Sequence, residues 1–565
     1  MLGNYDQAIR LMPGNAEAHV NKGNALRSLG RAAEAIESFD QAIALRPDLA
    51  EAHYNRGNAL TDLKRYDDAR ASYERAIALR PNFPEAHFNC GNVLQLLGRQ
   101  NDAIASYDRA LMYNTNFAEA QNNRAEAFRI LGRPDEALDA CAHALELNPG
   151  LADAHFNKGN VLQDLKRYED AAASYECALG LRPDFVDAYS NRGNALRALG
   201  RPDESLQSCE MALALDSRLP EAHNNKGYAL HQLKRTAEAL RSYDEALALR
   251  SGYADALWNK SVCLLLAGRF GEGWPLYEWR KKSTGPVGIR SFPQPEWLGR
   301  EPLAGKTLLV HAEQGLGDTI QFCRCVTLAR AQGAKVIFAV QPVLTRLLRD
   351  FEPGVEIVRL DSDFPSFDYH APLLSLPLAF RTDETNIPCR VPYLRAEADR
   401  IRAWGERLGK SGFKIGICGQ GSGRADVDLG RSFPLRCFEG LAQVPDVRLI
   451  RLQKHNGGKQ LSDSPAAMKV EDPGPGFDAG PDAFVDTAAI MENLDLVITS
   501  DTAIAHLAGA LARPVWVALQ YVPDWRWLLD RSDSPWYPTM RLFRQTRRGD
   551  WTGVFAGMET ALRGL

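Results

Sequence analysis

The feature that most restricts how this chain can fold is a repeat with a period of 34 residues. The stretch NKGNALRSLGR at 21–31 returns as NRGNALTDLKR at 55–65 and as NKGNVLQDLKR at 157–167. Self-similarity at this period means that each unit is one supersecondary element that cannot bury its apolar face alone and must stack on its neighbours. One column of the register holds Gly23, Gly57, Gly91, Ala125, Gly159, Gly193, Gly227 and Ser261, small residues that let two helices approach closely. Twelve places later comes a second small residue (Ala35, Ala69, Ala103), then an aromatic (Phe39, Tyr73, Tyr107), then Ala42, Ala76 and Ala110. Pro47, Pro81, Pro149 and Pro183 close their units, as prolines do beyond a helix end.

These spacings and residue types resemble the tetratricopeptide repeat throughout residues 1–283. The resemblance implies about eight units of two antiparallel helices each, stacked as an all-α, right-handed superhelix. YDQAIRLMP at 5–13 aligns with FDQAIALRP at 39–47, so the chain opens inside the second helix of a half unit, which suggests a shortened reading frame. The eighth unit departs from the pattern with Gly273 and Arg280, and its aromatic GWPLYEWRKK (273–282) is expected to cap the array against the next domain.

Two places before each small residue stands an asparagine: Asn21, Asn55, Asn89, Asn123, Asn157, Asn191, Asn225 and Asn259. Asparagine is an indifferent helix former, so an unbroken mid-helix column asks for a reason. Asn24, Asn58, Asn92, Asn160 and Asn194 lie three residues on, which puts both amides on one face. An amide offers one acceptor and two donors, as an extended peptide backbone requires, so the column is a candidate polypeptide-binding ladder. It resembles the asparagine ladder of O-GlcNAc transferase, where the ladder grips the protein substrate. The plainer alternative is a bridge within the repeat. For His19, His53, His87, His155 and His223, packing on the helix surface is the better account than a metal cluster.

Residues 284–304 are rich in proline and glycine and break the helical period, which marks a linker. Afterwards apolar runs alternate with amphipathic stretches: TLLVHA (307–312), KVIFAV (335–340) and VEIVRL (355–360) in a first block, with DTIQFCRCVTLARAQG and PVLTRLLRDF between them. A second block runs through FKIGICG (413–419), VRLIRLQ (447–453), LDLVITS (494–500) and RPVWVAL (513–519). Such alternation means parallel α/β sheets. Two Rossmann-like lobes are expected, 305–398 and 399–565, with a ligand cleft between their carboxyl edges. A net charge of -4 gives no global field for nucleic acid, and no run of apolar residues is long enough to span a membrane. Ten scattered cysteines without zinc or disulfide spacing, and no secretory leader, fit a cytoplasmic chain.

Three motifs tempt and fail. GREPLAGKT (299–307) has five residues between its glycines instead of a phosphate loop's four, and it precedes a strand. GLGDTI has Ile320 where a dinucleotide fingerprint needs its third glycine. The DSD at 361–363 has the form of a metal-binding pair but reads better as a turn.

HAEQGLGDTIQF (311–322) follows the first strand, and Asp318 falls where the next helix starts, so a helix-capping role is open to it. Together with SDTAIAHLAGALARPV (500–515), EQGLGDTIQF resembles the heptosyltransferase-like glycosyltransferases of GT-B fold over roughly residues 305–565. The resemblance implies that Asp318 is the general base, with Gly317 beside it. It implies that donor pyrophosphate sits on the amides around Asp501, Thr502 and Ala503, with His506 one turn on, where a helix N-terminus favours an anion. Ala503 replaces the glycine usual in that family. Lys454 and Arg431 are candidates to offset the leaving diphosphate without a metal, or else are solvated surface charges. Related repeat-fused transferases read close to Gly-Asn-Pro-x-His-x-Asn-Asp-x-x-Arg-Ser in the second lobe. Here GSGRADVDLGRS (421–432) keeps Gly421, Asp428, Arg431 and Ser432 but has Ser422, Gly423 and Ala425 at three expected positions. The tryptophan- and arginine-rich 521–545 could stack a base or sugar, or else pack the terminal helix back on the first lobe.

The expectation is an inverting, metal-independent glycosyltransferase with no cofactor, whose substrates are a nucleotide sugar and a hydroxyl on a polypeptide held by the repeats. The rivals are a glycan acceptor and a non-catalytic scaffold with a degenerate transferase domain.

Overall fold

The computed structural model describes residues 2–283, 290–421, 428, 430–453, 468–474 and 476–565. By contact density the chain divides into two compact units, 1–218 and 219–565. The second unit therefore takes in the last repeats as well as the α/β region, a boundary ahead of the change of sequence pattern at 283.

In the first unit thirteen-residue helices such as Ala16–Ser28 alternate with fourteen-residue helices such as Ala32–Leu45, from Leu2–Leu11 to Pro202–Leu215. The small column works by size complementarity. A Cβ on Gly23, Gly57, Gly91 or Gly159 would lie 2.5–2.6 Å from the ring of Phe39, Tyr73, Tyr107 or Tyr175, all buried. Gly193 instead faces Cys209 at 2.9 Å. Within each unit the turn between helices needs a left-handed residue. Gly30, Gly98, Gly132 and Gly200 supply it with φ of 68–74°, and Lys64 and Lys166 adopt φ of 58° and 59° at the same register.

The second unit opens with four more helices, Pro220–Gln232 through Phe270–Tyr277. Two parallel sheets follow. The first contains β1 (Thr307–His311), β2 (Lys335–Val340), β3 (Val355–Arg359) and β4 (Tyr369–Pro372), in the order β3-β2-β1-β4. The second contains β5 (Phe413–Cys418), β6 (Val447–Arg451), β7 (Val470–Glu471), β8 (Leu496–Ser500), β9 (Val515–Leu519) and β10 (Met540–Arg544), in the order β10-β9-β8-β5-β6-β7. Counted within each lobe these are the doubly wound orders 3-2-1-4 and 3-2-1-4-5-6, which reverse direction between the lobe's first and fourth strands. All seven sequence-expected strands form, and β4, β7 and β10 are additional.

Two expectations are corrected. PVLTRLLRDF (342–351) forms a 3₁₀ turn at Pro342–Leu344 and further turns instead of a helix, although Leu344, Leu347 and Leu348 still face inward. Ten residues anchored by tertiary burial do not repay the cost of helix nucleation here. The terminal helix Trp551–Leu562 packs on the second lobe, not the first. Trp551 and Phe555 lie 4.9 and 5.0 Å from Phe433, because β10 delivers the chain to that flank of the larger sheet. No helix among the described residues is long and apolar enough to cross a membrane.

Gly159→Ala forces a methyl into the Tyr175 ring and should lower stability by about 1–3 kcal/mol, whereas Gly150→Ala in an open turn should change it by less than about 0.5 kcal/mol. Thermal or urea unfolding of the two variants checks this, and equal effects would contradict the packing assigned to the column.

Candidate functional site

Doubly wound sheets hold ligands outside the carboxyl ends of their strands, where the winding reverses. In the second unit both places carry the sequence motifs: the loop after β1 and the helix start after β8. The Leu316–Ala331 helix begins at Gly315, and Asp318 stands in its first turn, where Oδ2 accepts the Gly315 N–H at 2.9 Å. The capping role open to an aspartate here is thus filled by one of its two oxygens. Gly317 brings the two motifs together. A Cβ there would lie 3.1 Å from the His506 ring and 3.3 Å from Cα of Ala503, so the two helix starts touch across backbone.

The other oxygen of Asp318 accepts from Nη2 of Arg526. This guanidinium is buried. Its Nε donates to Gln321 at 2.8 Å, its Nη1 to Asp524 at 2.8 Å, and it lies 4.4 Å over the Trp525 ring. Burial raises the proton affinity of Asp318 above that of an ordinary aspartate, against the opposing charge of Arg526. Asp501 is pushed up to about 6, by burial first and by the neighbouring Asp524 second. Thr502 caps the Ala503–Ala510 helix in extended backbone, with its hydroxyl 3.0 Å from that of Thr499. His506 is buried, with Nδ1 3.1 Å from the Tyr537 hydroxyl and its ring stacked on Trp527. Burial lowers its pKa well below the usual imidazole range, so it is neutral near pH 7 and adds packing rather than positive charge.

Four residues of the altered 421–432 stretch are linked to one another. Gly421 N donates to Ser432 Oγ at 2.9 Å, Ser432 Oγ donates to Asp428 Oδ1 at 2.7 Å, and Arg431 lies against Gly421. The charge of Arg431 reaches Asp318, Asp501 and His506, which places it at the same site. Ser422, Gly423, Ala425 and Lys454 lie outside the described residues.

Sequence reading missed the residues that hold the site. Arg526, Asp524 and Trp525 come from the 521–545 segment, which packs on the first lobe's helix. Arg280, at the end of the last repeat, is fully buried and donates to both oxygens of Glu313 in the loop before Asp318, at 3.0 and 2.8 Å. It also donates to Ser375 at 2.9 Å. Trp274 donates to the Thr382 carbonyl at 2.7 Å and meets Trp525 edge-on at 5.2 Å. The signals were present: Arg280 breaks the repeat pattern, and Glu313 is the second carboxylate of the loop. Among the described residues no group of three acidic, histidine or cysteine side chains could hold a metal ion.

The asparagine column bridges consecutive repeats. Asn89, Asn123 and Asn191 donate to Asn58, Asn92 and Asn160 at 2.8–2.9 Å, and Asn157 donates to Asn122 at 2.9 Å. In the second unit Asn259 donates likewise to Asn224 at 3.0 Å. Tyr73, Tyr107 and Tyr175 donate to the same acceptor oxygens, of Asn58, Asn92 and Asn160. The plainer alternative therefore accounts for one amide hydrogen of each of these five residues, and Asn89 also donates to the Tyr54 hydroxyl at 3.1 Å. Asn55 and Asn225 are half-buried and Asn21 is exposed. His53, His87 and His155 each reach back to the carbonyl of the proline six residues earlier at 2.9–3.2 Å, which ties the turn.

Comparison with known proteins agrees with the repeats. Family models described as TPR repeat match residues 23–61 and 57–98, and models described as tetratricopeptide repeat match 116–184, 156–220 and 220–253. The N-terminal part of the chain is thus a tetratricopeptide-repeat array, followed by a region of parallel α/β sheets. Protein FlbA of Caulobacter vibrioides is 28% identical over 326 residues, and the match spans 54% of this chain and 54% of FlbA, so about half of that relative's length is matched. Among solved structures, YrrB, described as a TPR protein with an unusual peptide-binding site, is 28% identical and matches over 33% of this chain and 95% of its own, with a TM-score of 0.29. MamA is 26% identical over 30% of this chain and 92% of its own, with a TM-score of 0.27.

Asp501 carries a pH signature. Because the folded state raises its pKa from 3.8 to about 6, its ionisation costs stability as pH rises through that window. Asp501→Asn should match the parent at pH 4 and exceed it at pH 7 by up to about 3 kcal/mol, at ~1.36 kcal/mol per pH unit. Unfolding at the two pH values checks this, and a gain at pH 4 alone would contradict it.

Proposed function

We propose that the α/β region is an inverting glycosyltransferase of GT-B type. Its donor is a nucleotide sugar and its acceptor is a hydroxyl on a polypeptide held by the repeats. The observation that carries this reading is the contact of the two motif loops at Gly317. It sets a half-buried carboxylate beside a helix N-terminus and a cationic Arg431, at the ends of strands where doubly wound sheets bind ligands. In the reaction the acceptor hydroxyl gives its proton to Asp318 while its oxygen bonds to the anomeric carbon. The bond from that carbon to the diphosphate breaks, and the diphosphate leaves with the electron pair. The amides of Thr502, Ala503 and Ile504 and the charge of Arg431 receive the negative charge that develops. The raised proton affinity of Asp318 makes it a stronger base than an ordinary aspartate.

The repeats support a polypeptide acceptor through their asparagines. The bridges use one donor each of Asn123, Asn157, Asn191 and Asn259, while Asn89 donates to both Asn58 and Tyr54, and among the described residues the side-chain oxygens of Asn89, Asn157 and Asn191 accept no hydrogen bond. A second reading, a protein-binding scaffold with a degenerate transferase region, is favoured by one observation: both oxygens of Asp318 already have partners.

Calorimetric titration with UDP, ADP, GDP and their sugar conjugates, followed by a donor-hydrolysis assay, separates the two. The expected outcome is binding that Thr502→Trp abolishes. Asp318→Asn should then lower turnover by about 10²–10⁴-fold with little change in donor affinity. No binding by any nucleotide would favour the scaffold.

A further inference from the structure

We propose that Arg526 is the positioning residue of Asp318: its guanidinium fixes the carboxylate through Oδ1 and sets the pH above which the site can take the acceptor's proton. This rests on the glycosyltransferase reading and adds to it a residue that lies in neither motif loop.

Arg526 is built as a fixed fork. Each of its three nitrogens has a separate acceptor: Gln321 for Nε, Asp524 for Nη1 and Asp318 for Nη2. Asp318 and Gln321 stand three residues apart on one helix face, so the fork grips that helix at two points and fixes its rotation. The guanidinium itself is held from below by the Trp525 ring at 4.4 Å. Its backbone carbonyl accepts the Trp536 indole N–H at 2.8 Å. Arginine cannot lose its proton at any working pH, so the charge beside Asp318 is permanent, whereas lysine would bring a point charge without the fork.

Charged and titratable groups face Asp318 from every side. Arg526 and Asp524 come from the 524–527 segment, Arg431 from the loop before Phe433, and Tyr277 from the terminal repeat helix. Asp501, after β8, shares Asp524, Arg431 and Arg526 as neighbours. Arg526 is the cation in direct contact, and it opposes the burial that drives Asp318 towards its protonated form. Without it burial acts against one cation fewer, and the carboxylate should keep its proton to higher pH.

The test uses the full chain with Arg526→Gln and Arg526→Lys. Protonation of Asp318 is followed by carbon NMR of aspartate-labelled protein, with Asp318→Asn identifying the signal, beside the pH profile of donor hydrolysis. In Arg526→Gln the titration midpoint of Asp318 should rise by about one pH unit or more, and the acid limb of turnover should move with it. Arg526→Lys should restore most of the midpoint but lower turnover about tenfold, because the geometry is lost. A folded Arg526→Gln protein with an unmoved midpoint would overturn the proposal, as would turnover lost equally at every pH. If Arg526→Gln does not fold, undiminished turnover in Arg526→Lys would overturn it. If the wild type turns over no donor while the midpoint still moves, the glycosyltransferase reading fails and the hold of Arg526 on Asp318 stands.

Discussion

Gly317 stands where a single methyl group would lie 3.1 Å from the His506 ring and 3.3 Å from Cα of Ala503. Two helix starts, one from each parallel sheet, approach so closely there that a methyl would force its neighbours back by a few tenths of an ångström. The contact puts Asp318 within the field of Arg431 and brings the Arg526 guanidinium between the lobes. A burial strong enough to raise the proton affinity of one aspartate and push another up to about 6 follows from the same closeness. The closeness that partly desolvates the site is also what perturbs its titratable groups.

That contact is supported from the repeat side. Arg280 sits where other repeats carry alanine, and its buried pair with Glu313 ties the end of the last repeat to the loop that bears Asp318. A buried charge pair of this kind adds little net stability, but losing one partner strands the other, so it acts as a specificity device for that docking. Trp274 and Tyr277 meet Trp525 from the same helix, next to Arg526. The last repeats are thus part of the compact unit that holds the site.

Periodic features were legible in the sequence because they arise from local geometry. The 34-residue register places the helix pairs of the array, and continuous apolar runs place seven of the ten strands among the described residues. The strands that were not legible lack such a run. Tyr369–Pro372 is four residues ending in proline, Val470–Glu471 is two residues, and Met540–Arg544 is an edge strand whose apolar residues are broken up by Arg541 and Arg544. The amphipathic 342–351 stretch misled because helical spacing of leucines is also satisfied by turns once tertiary burial supplies the energy. At the site, Asp318 and the 500–506 start were legible as strand-to-helix loops. Arg526 was not, since it lies 208 residues from its partner, and only the folded chain makes them neighbours. The asparagine column was legible as a pattern but not in its partners, because a donor pointing to a ligand and one pointing to the preceding repeat look alike in sequence.

Two loops make one site, and a crystal structure of the chain grown with each nucleoside diphosphate tests this most directly. The diphosphate oxygens should lie within about 3 Å of the backbone amides of Ala503 and Ile504, facing Arg431, with Asp318 still bound to Arg526. A diphosphate held elsewhere on the chain, or a helix start that stays bare at saturating nucleotide, would contradict it.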